Sequence, residues 1–193
     1  MPTIVEFIYV LRGLGRLVQF DGNGLIYFDR SIEGFWRSFR VALLIAPLYA
    51  VVIPFDLELI KPTVGWQHIM MIEILAYIVS WLLYPLVAYE ICRRIGREAE
   101  YPGYIVVYNW SRILIVVAQL LVWLPTVMGI TEADTSSNLS RIVYILFLVY
   151  LWFIARVALR IDPFSAVGLA FTSCVLTLLL SRIHTLLLSP AVN

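Results

Sequence analysis

Five long apolar segments take up most of this 193-residue chain, and nearly all of its charge lies in the short stretches between them. Hydrophobic residues make up 62% of the chain and charged residues 14%, which is too little polar surface to cover a water-soluble domain. A bilayer core about 30 Å thick is crossed by roughly 20 helical residues. We therefore predict an all-α membrane protein, a bundle of five transmembrane helices at approximately 36–55, 66–92, 104–131, 139–161 and 164–188.

The first of these segments is the shortest. Its uncharged part, Val41–Phe55, is shorter than the roughly 20 residues of a full span and contains Pro47 and Pro54. It spans only if residues 36–40 lie at one interface, with their charged side chains extended to the head groups. A re-entrant hairpin is the alternative. In either case residues 31–193 form one membrane domain without a linker.

Residues 1–30 are predicted to be a cytoplasmic amphipathic segment that ends in a turn at 21–24. Arg12, Arg16 and Gln19 occupy one face of the expected helix, and apolar residues recur on another face at three- and four-residue spacing. This pattern is typical of a helix that lies in the membrane interface. A helix packed on the cytoplasmic side of the bundle explains it equally well. The apolar positions are Ile4, Phe7, Leu11, Leu14 and Val18.

Lys and Arg are concentrated at alternate ends of the segments. The other connecting loops hold only Lys61 and Arg141, beside several acidic residues. Cytoplasmic loops of membrane proteins carry an excess of Lys and Arg, so the N-terminus is predicted to be cytoplasmic and, after five crossings, the C-terminus periplasmic. The basic residues on the predicted cytoplasmic side are Arg12, Arg16, Arg30, Arg37 and Arg40, then Arg93, Arg94 and Arg97, then Arg156 and Arg160.

Ionisable residues inside apolar segments are candidates for function, because burying a charge in the bilayer is costly. Glu73 and Arg182 lie in the predicted outer halves of their helices, whereas Glu90 and Arg112 lie in the inner halves. Depth therefore predicts two ion pairs, Glu73–Arg182 and Glu90–Arg112. Structural pairs that set the helix register, a proton or solute path, and charges extended to the head groups are the three interpretations left open.

A stripe of small residues follows one face of the fifth segment. Small residues allow helices to approach closely, so this face is predicted to point into the bundle. The alternative is a surface for a partner helix or a flat cofactor. The stripe consists of Ala166, Ala170, Ser173, Thr177 and Ser181.

Aromatic residues cluster around the second predicted cytoplasmic loop. Tyr and Trp are enriched where membrane and water meet, so an aromatic belt at the interface is the expected explanation. Contact with a lipid or a pigment is the alternative. The cluster consists of Tyr84, Tyr89, Tyr101, Tyr104, Tyr108 and Trp110.

Catalytic motifs are missing from the sequence. His68 and His184 lack a metal-ligand spacing, and there is no H-E-x-x-H, G-x-S-x-G or glycine-rich phosphate motif. A net charge of +1 gives no reason to expect nucleic acid. Cys92 and Cys174 lie at different depths, so no disulfide is expected. We predict no enzymatic activity, no metal and no cofactor, and leave a bound lipid open.

Several short runs suggest a family. Phe28–Ser31, Gly34–Phe39, Ala46–Tyr49 and the helix with Trp81 to Tyr89 before a basic loop resemble small five-helix membrane proteins of alphaproteobacteria, which are grouped loosely with the Yip1 family. The resemblance covers about residues 25–185. It implies a bacterial inner-membrane protein with a non-enzymatic scaffold character, and it assigns no functional residue.

Together these observations predict an integral inner-membrane scaffold or accessory subunit, with membrane lipids and other integral membrane subunits as its partners. A small-solute or proton-coupled transporter is the alternative, and it requires a polar path past Glu73 or Arg112. A lipid-modifying enzyme is a third hypothesis, for which the sequence offers no nucleophile and base.

Cysteine labelling tests the predicted orientation. In a variant without Cys92 and Cys174, Arg97→Cys should be protected from a membrane-impermeant maleimide in intact cells, because the basic loop is predicted to be cytoplasmic. Asp134→Cys, in the loop on the other side, should react and serves as the matched control. Reaction at position 97 but not at 134 would reverse the topology.

Overall fold

A computed structural model describes residues 4–189, apart from the side chains of residues 4, 55, 56, 58 and 59. Residues 1–3 and 190–193 of the two predicted segments lie outside the described part. Within it the chain is helical, with no strand. The elements in chain order are α1 Ile4–Val18, a 3₁₀ helix Gly22–Tyr27, α2 Ile32–Ser38, α3 Val41–Ile60, α4 Trp66–Arg94, α5 Tyr101–Val127, α6 Ala133–Leu159 and α7 Pro163–Leu188.

Five helical stretches of the described chain are long and apolar enough to cross a membrane, which confirms the predicted all-helical class. The first stretch, Ile32–Pro54, joins α2 to most of α3. Since α3 alone has 20 residues, its length is about 30 Å, and it continues through both Pro47 and Pro54. The re-entrant hairpin is therefore not what the structure shows. The other four stretches are α4 to α7.

The five long helices run alternately up and down, so their connections gather at two ends. The basic end carries α1, α2 and the α4–α5 and α6–α7 loops, where Arg97 and Arg160 lie. The opposite end carries the α3–α4 and α5–α6 loops and the end of α7. There, the Thr63 backbone N–H donates to the Leu188 carbonyl at 3.0 Å, which ties two of these elements together.

Helix α5 lies at the centre of the bundle and contacts α1, α2, α3, α4 and α6. Its first half, from Gly103 to Ser111, is buried at every consecutive position. A helix buried all round must be covered by other elements on every side. The sequence predicted a start at 104, whereas the helix begins three residues earlier, at Tyr101, with Pro102 in its first turn.

The N-terminal segment forms part of this cover. Val10, Leu14 and Leu17 of α1 are buried, and the Phe7 ring lies 6.2 Å from that of Trp110 on α5. The side of α1 that packs is therefore rotated from the predicted apolar face, since Leu11 and Val18 are exposed. A location in the membrane interface stays a prediction.

Two glycines allow α1 to meet the 3₁₀ helix closely. A Cβ at Gly24 would lie 2.7 Å from the Gly13 carbonyl oxygen and 2.8 Å from Leu17 Cγ. A Cβ at Gly13 would lie 2.6 Å from the Phe28 ring and 3.0 Å from the Gly24 carbonyl. Neither position has room for a larger side chain, because the nearest atoms include backbone.

Two aspartates at the basic end hold their helix starts in place. Ser31, the N-cap of α2, accepts from Gly34 N–H at 3.0 Å, and Asp29 bonds Ser31 and Arg37. Hydrogen bonds from Ser31 lower the pKa of Asp29, and those from Ser165 lower the pKa of Asp162, the N-cap of α7. A carboxyl group whose pKa is lower in the folded state than in the unfolded state stabilises the fold at any pH above its unfolded-state pKa. This stabilisation is lost as the pH falls through the folded-state pKa.

The glycine contact predicts opposite effects for two similar substitutions. Gly24→Ala should lower the free energy of unfolding by about 1–3 kcal/mol, because backbone atoms must move to admit the methyl group. Gly15→Ala is the control: nothing lies within 4 Å of its Cβ, and replacing a glycine inside a helix gains about 0.5–1 kcal/mol. Thermal unfolding in mild detergent compares them. Equal melting temperatures would contradict the close packing of α1.

Candidate functional site

A cavity of about 400 Å³ lies inside the bundle, and each of the helices α3 to α7 contributes to its wall. It extends from the middle of the bundle toward the end opposite the basic end. Apolar side chains such as Ile115 and Phe147 alternate with polar ones. The polar side chains of the wall are Tyr49, Ser80, Tyr84, Tyr108, Arg112, Tyr144, Ser173, Thr177, Ser181 and His184.

The predicted packing face of α7 divides into two parts. Ala166, Ala170 and Ser173 are buried, as expected of small residues at a helix–helix contact. Thr177 and Ser181 are exposed, and both line the cavity. The interpretation of one continuous packing face is therefore wrong for the second part, where the small side chains leave the cavity open instead of filling a contact.

Arg112 is the charged group at the middle of the cavity wall. Two of its N–H groups donate to the Ser80 carbonyl and the Ser80 hydroxyl, each at 3.1 Å. Its guanidinium carbon lies 3.8 Å from the centroid of the Trp81 ring, a distance at which a cation is attracted to the ring face. Neither partner carries a charge, so neutral groups of α4 hold this cation.

The predicted Glu90–Arg112 pair is not formed. Glu90 instead binds Arg93 at 3.0 Å and Arg94 at 2.9 Å, which lie three and four residues further along the same helix. Glu90 is four residues from the end of α4, or about 6 Å, whereas Arg112 is eleven residues into α5, or about 17 Å. The two residues therefore lie at different depths, and Arg93 and Arg94 are nearer to Glu90.

Glu73 is buried but does not pair with Arg182, which is a second correction. Its Oε1 lies 2.9 Å from His184 Nε2, and its Oε2 accepts from the Tyr49 hydroxyl at 3.1 Å. Arg182 is exposed. The result is a three-residue cluster, Tyr49–Glu73–His184, which joins α3, α4 and α7 beside the cavity.

The angular positions of the residues around α7 explain why Glu73 contacts His184 and not Arg182. At about 100° per residue, His184 falls on the same face of α7 as Ser173 and Thr177, whereas Arg182 points to the far side. Glu73 and Ser80 likewise share one face of α4, two turns apart. The angular position of each residue around its helix follows from the sequence, but a comparison of depths alone does not include it.

The aromatic cluster is internal and does not form an interfacial belt. Tyr84, Tyr104 and Tyr108 are buried, and the rings of Tyr84 and Tyr108 stack with centroids 4.3 Å apart. The Tyr84 and Tyr104 hydroxyls bond each other, and Tyr101 donates to the Pro85 carbonyl at 2.9 Å. Because these hydroxyls form hydrogen bonds inside the bundle, they do not need partners at the membrane–water interface. Tyr89 remains exposed.

The described residues show no group of three or more His, Cys, Asp or Glu that could hold a metal ion. Cys92 and Cys174 are both free thiols. The chemistry that the site offers is therefore hydrogen bonding and charge: one guanidinium, one carboxylate–imidazole pair and several hydroxyls.

A double-mutant cycle tests the corrected pairing. Glu73→Gln and His184→Gln should show a coupling energy of about 0.5–3 kcal/mol in the free energy of unfolding, because the two groups are in contact. Glu73→Gln with Arg182→Gln is the matched control and should be additive within about 0.5 kcal/mol. Unfolding in mixed micelles measures both cycles. Coupling in the second cycle and additivity in the first would restore the original pair.

No protein-family model, no curated protein and no solved structure matches this chain. The resemblance to the Yip1 family therefore stays a prediction, and the functional proposal rests on the geometry of the cavity.

Proposed function

We propose that this protein binds a small solute in its intramembrane cavity and transports it across the membrane. The observation that carries the proposal is the cavity itself, which has polar side chains from all five long helices in its wall. Polar and charged groups are expensive in hydrocarbon, and they are typically retained in membrane proteins where they face a substrate or ion pathway. A role in packing alone would not require an open cavity at their centre.

The dimensions suit a small molecule. Small-molecule sites commonly occupy about 300–1,000 Å³, with mostly apolar walls and a few placed polar groups. This cavity has about 400 Å³ and the same mixture. Transporter sites also tend to lie near the middle of the bilayer between helices, and Arg112 lies near the middle of α5.

The Tyr49–Glu73–His184 cluster supports coupling to protons. Glu and His both exchange protons, and their contact at 2.9 Å allows one proton to be shared between them. The hydroxyls of Ser181 and Thr177 continue the polar line from His184 along α7. Loading or releasing a proton here changes the charge beside the cavity, which would couple proton movement to solute binding.

The scaffold or accessory-subunit hypothesis remains the competing proposal. It rests on missing catalytic motifs and on the family resemblance. The many exposed apolar side chains do not favour it, since the outer surface of any membrane bundle faces lipid. The inner-membrane location, the orientation and the lack of enzymatic activity are likewise predictions.

Flux measurements in proteoliposomes test the transport proposal. Vesicles that contain the full chain and a trapped pH dye should report proton movement when one of a panel of anionic, neutral and cationic small solutes is added. Glu73→Gln should reduce this flux at least tenfold, because a neutral amide cannot exchange the proton. Glu98→Gln, in the exposed α4–α5 loop, is the matched control and should retain the flux.

The same preparations separate the two proposals. If no solute in the panel gives flux, and purification in mild detergent yields a stoichiometric membrane partner, the scaffold hypothesis replaces transport.

A further inference from the structure

We propose that Arg112 and the hydroxyl groups around it form a binding site for the anionic group of an amphiphilic ligand, a carboxylate or phosphate with a short apolar tail. The inference rests on the proposed function of the cavity and names the chemical class of its solute. Four observations lead to it: the depth of Arg112, its lack of a negative partner, its unused donors and the composition of the wall.

Arg112 lies deep in the bundle. It is eleven residues from the start of α5 and fifteen from its end, which places it about 17 and 22 Å from the two termini of the helix. A guanidinium at this depth is costly by every measure, and it cannot extend to a head group from the middle of the bilayer. An interaction of the guanidinium must therefore offset the cost of placing its charge at this depth.

That interaction is not with a carboxylate of the described protein. Glu73 is bound to Tyr49 and His184, and Glu90 to the arginines that follow it. Among the described side chains, no ion pair includes Arg112. Its two hydrogen bonds go to Ser80, and its face rests on Trp81, so its positive charge is not balanced by a formal negative charge.

The guanidinium is held in place yet still has donors to offer. It carries five N–H groups, of which two are used by Ser80 in the described structure. Ser80 and the Trp81 ring fix the plane of the group, so little further ordering is needed when an anion binds. A planar fork of this kind matches the oxygens of a carboxylate or phosphate better than it matches any neutral solute.

Hydroxyl groups on neighbouring helices add donors around the same space. Tyr108 and Ser173 line the cavity beside Arg112. Tyr144, on α6, adds a third hydroxyl to the same wall. Each hydroxyl can donate one hydrogen bond, and an anion held by Arg112 would offer an acceptor to those that face it.

The remaining wall explains why the ligand should be amphiphilic. It is formed by aliphatic and aromatic side chains that provide no hydrogen bonds, so a sugar or a small inorganic anion would leave polar surface unsatisfied against it. A short alkyl or aryl group fits this part of the wall. The side chains are Ala76, Leu83, Ile115, Phe147, Leu151, Leu176 and Leu180.

Two probes that differ only in charge test the site. Calorimetry on the full chain in dodecyl maltoside at pH 7.5 compares octanoate with octanamide, its uncharged counterpart. We expect octanoate to bind the unchanged protein at least tenfold more tightly, equivalent to about 1.4 kcal/mol. Arg112→Gln should abolish this preference, Arg112→Lys should restore part of it, and Arg182→Gln, an exposed charge on α7, should leave it unchanged.

A second variant keeps the inference testable if Arg112→Gln does not fold. Ser80→Ala keeps the charge but removes one of the hydrogen bonds that orient it, so octanoate affinity should change several-fold while octanamide affinity does not. Equal binding of octanoate and octanamide to the unchanged protein overturns the inference, as does an Arg112→Gln variant that is folded and keeps the preference.

Lipid nanodiscs identify the source of the anion. If phosphatidylglycerol competes with octanoate in the unchanged protein but not in Arg112→Gln, the site takes a lipid head group. If octanoate affinity is the same in phosphatidylglycerol and phosphatidylcholine, the ligand is a soluble anion, and the inference again stands. Octanoate binding without flux would contradict transport alone, whereas flux of a neutral or cationic solute without octanoate preference would contradict this inference alone.

Discussion

The first half of α5 is the element on which the rest of this structure depends. A membrane helix that is buried all round must be covered on every side, and each covering element meets α5 through a specific contact. Asn109 donates to the Ser38 hydroxyl of α2 at 2.9 Å, and Trp110 meets Phe7 of α1. Tyr104 bonds Tyr84 of α4. The short N-terminal elements are therefore structural parts of the bundle, and they complete its packing at the basic end.

The cover ends where the cavity begins. Ser111 is fully buried, and Arg112, the next residue, is partly exposed to the cavity. Tyr84, Tyr104 and Tyr108 pack closely on the side of the cavity that is nearer to the basic end, and they form a rigid boundary to this polar, open space. Helices hold the polar groups of a binding site more precisely than loops do.

The two carboxyl groups of α4, Glu73 and Glu90, are each paired with a basic side chain that lies close to them. Glu90 is satisfied by arginines on its own helix, and Glu73 by a histidine on the same face as the α7 stripe. Both carboxyl groups thereby find partners without Arg112. Arg112, on the cavity wall, forms no ion pair with the described residues, and the inference of an anionic ligand rests on this charge.

Composition and segment length were sufficient to determine the membrane class and the five long helices, because the bilayer thickness imposes both directly. They did not give the depths of the ionisable residues well enough to pair them, since Glu90 and Arg112 lie at different distances from the basic end. Helical phase was also present in the sequence and would have preferred His184 to Arg182. Only the tertiary structure decided that the tyrosines are internal, that Thr177 and Ser181 line a cavity, and that Arg112 rests on Ser80 and Trp81. Those facts depend on how far helices tilt and separate, and such distances are set by packing among all five helices at once, which no single segment encodes.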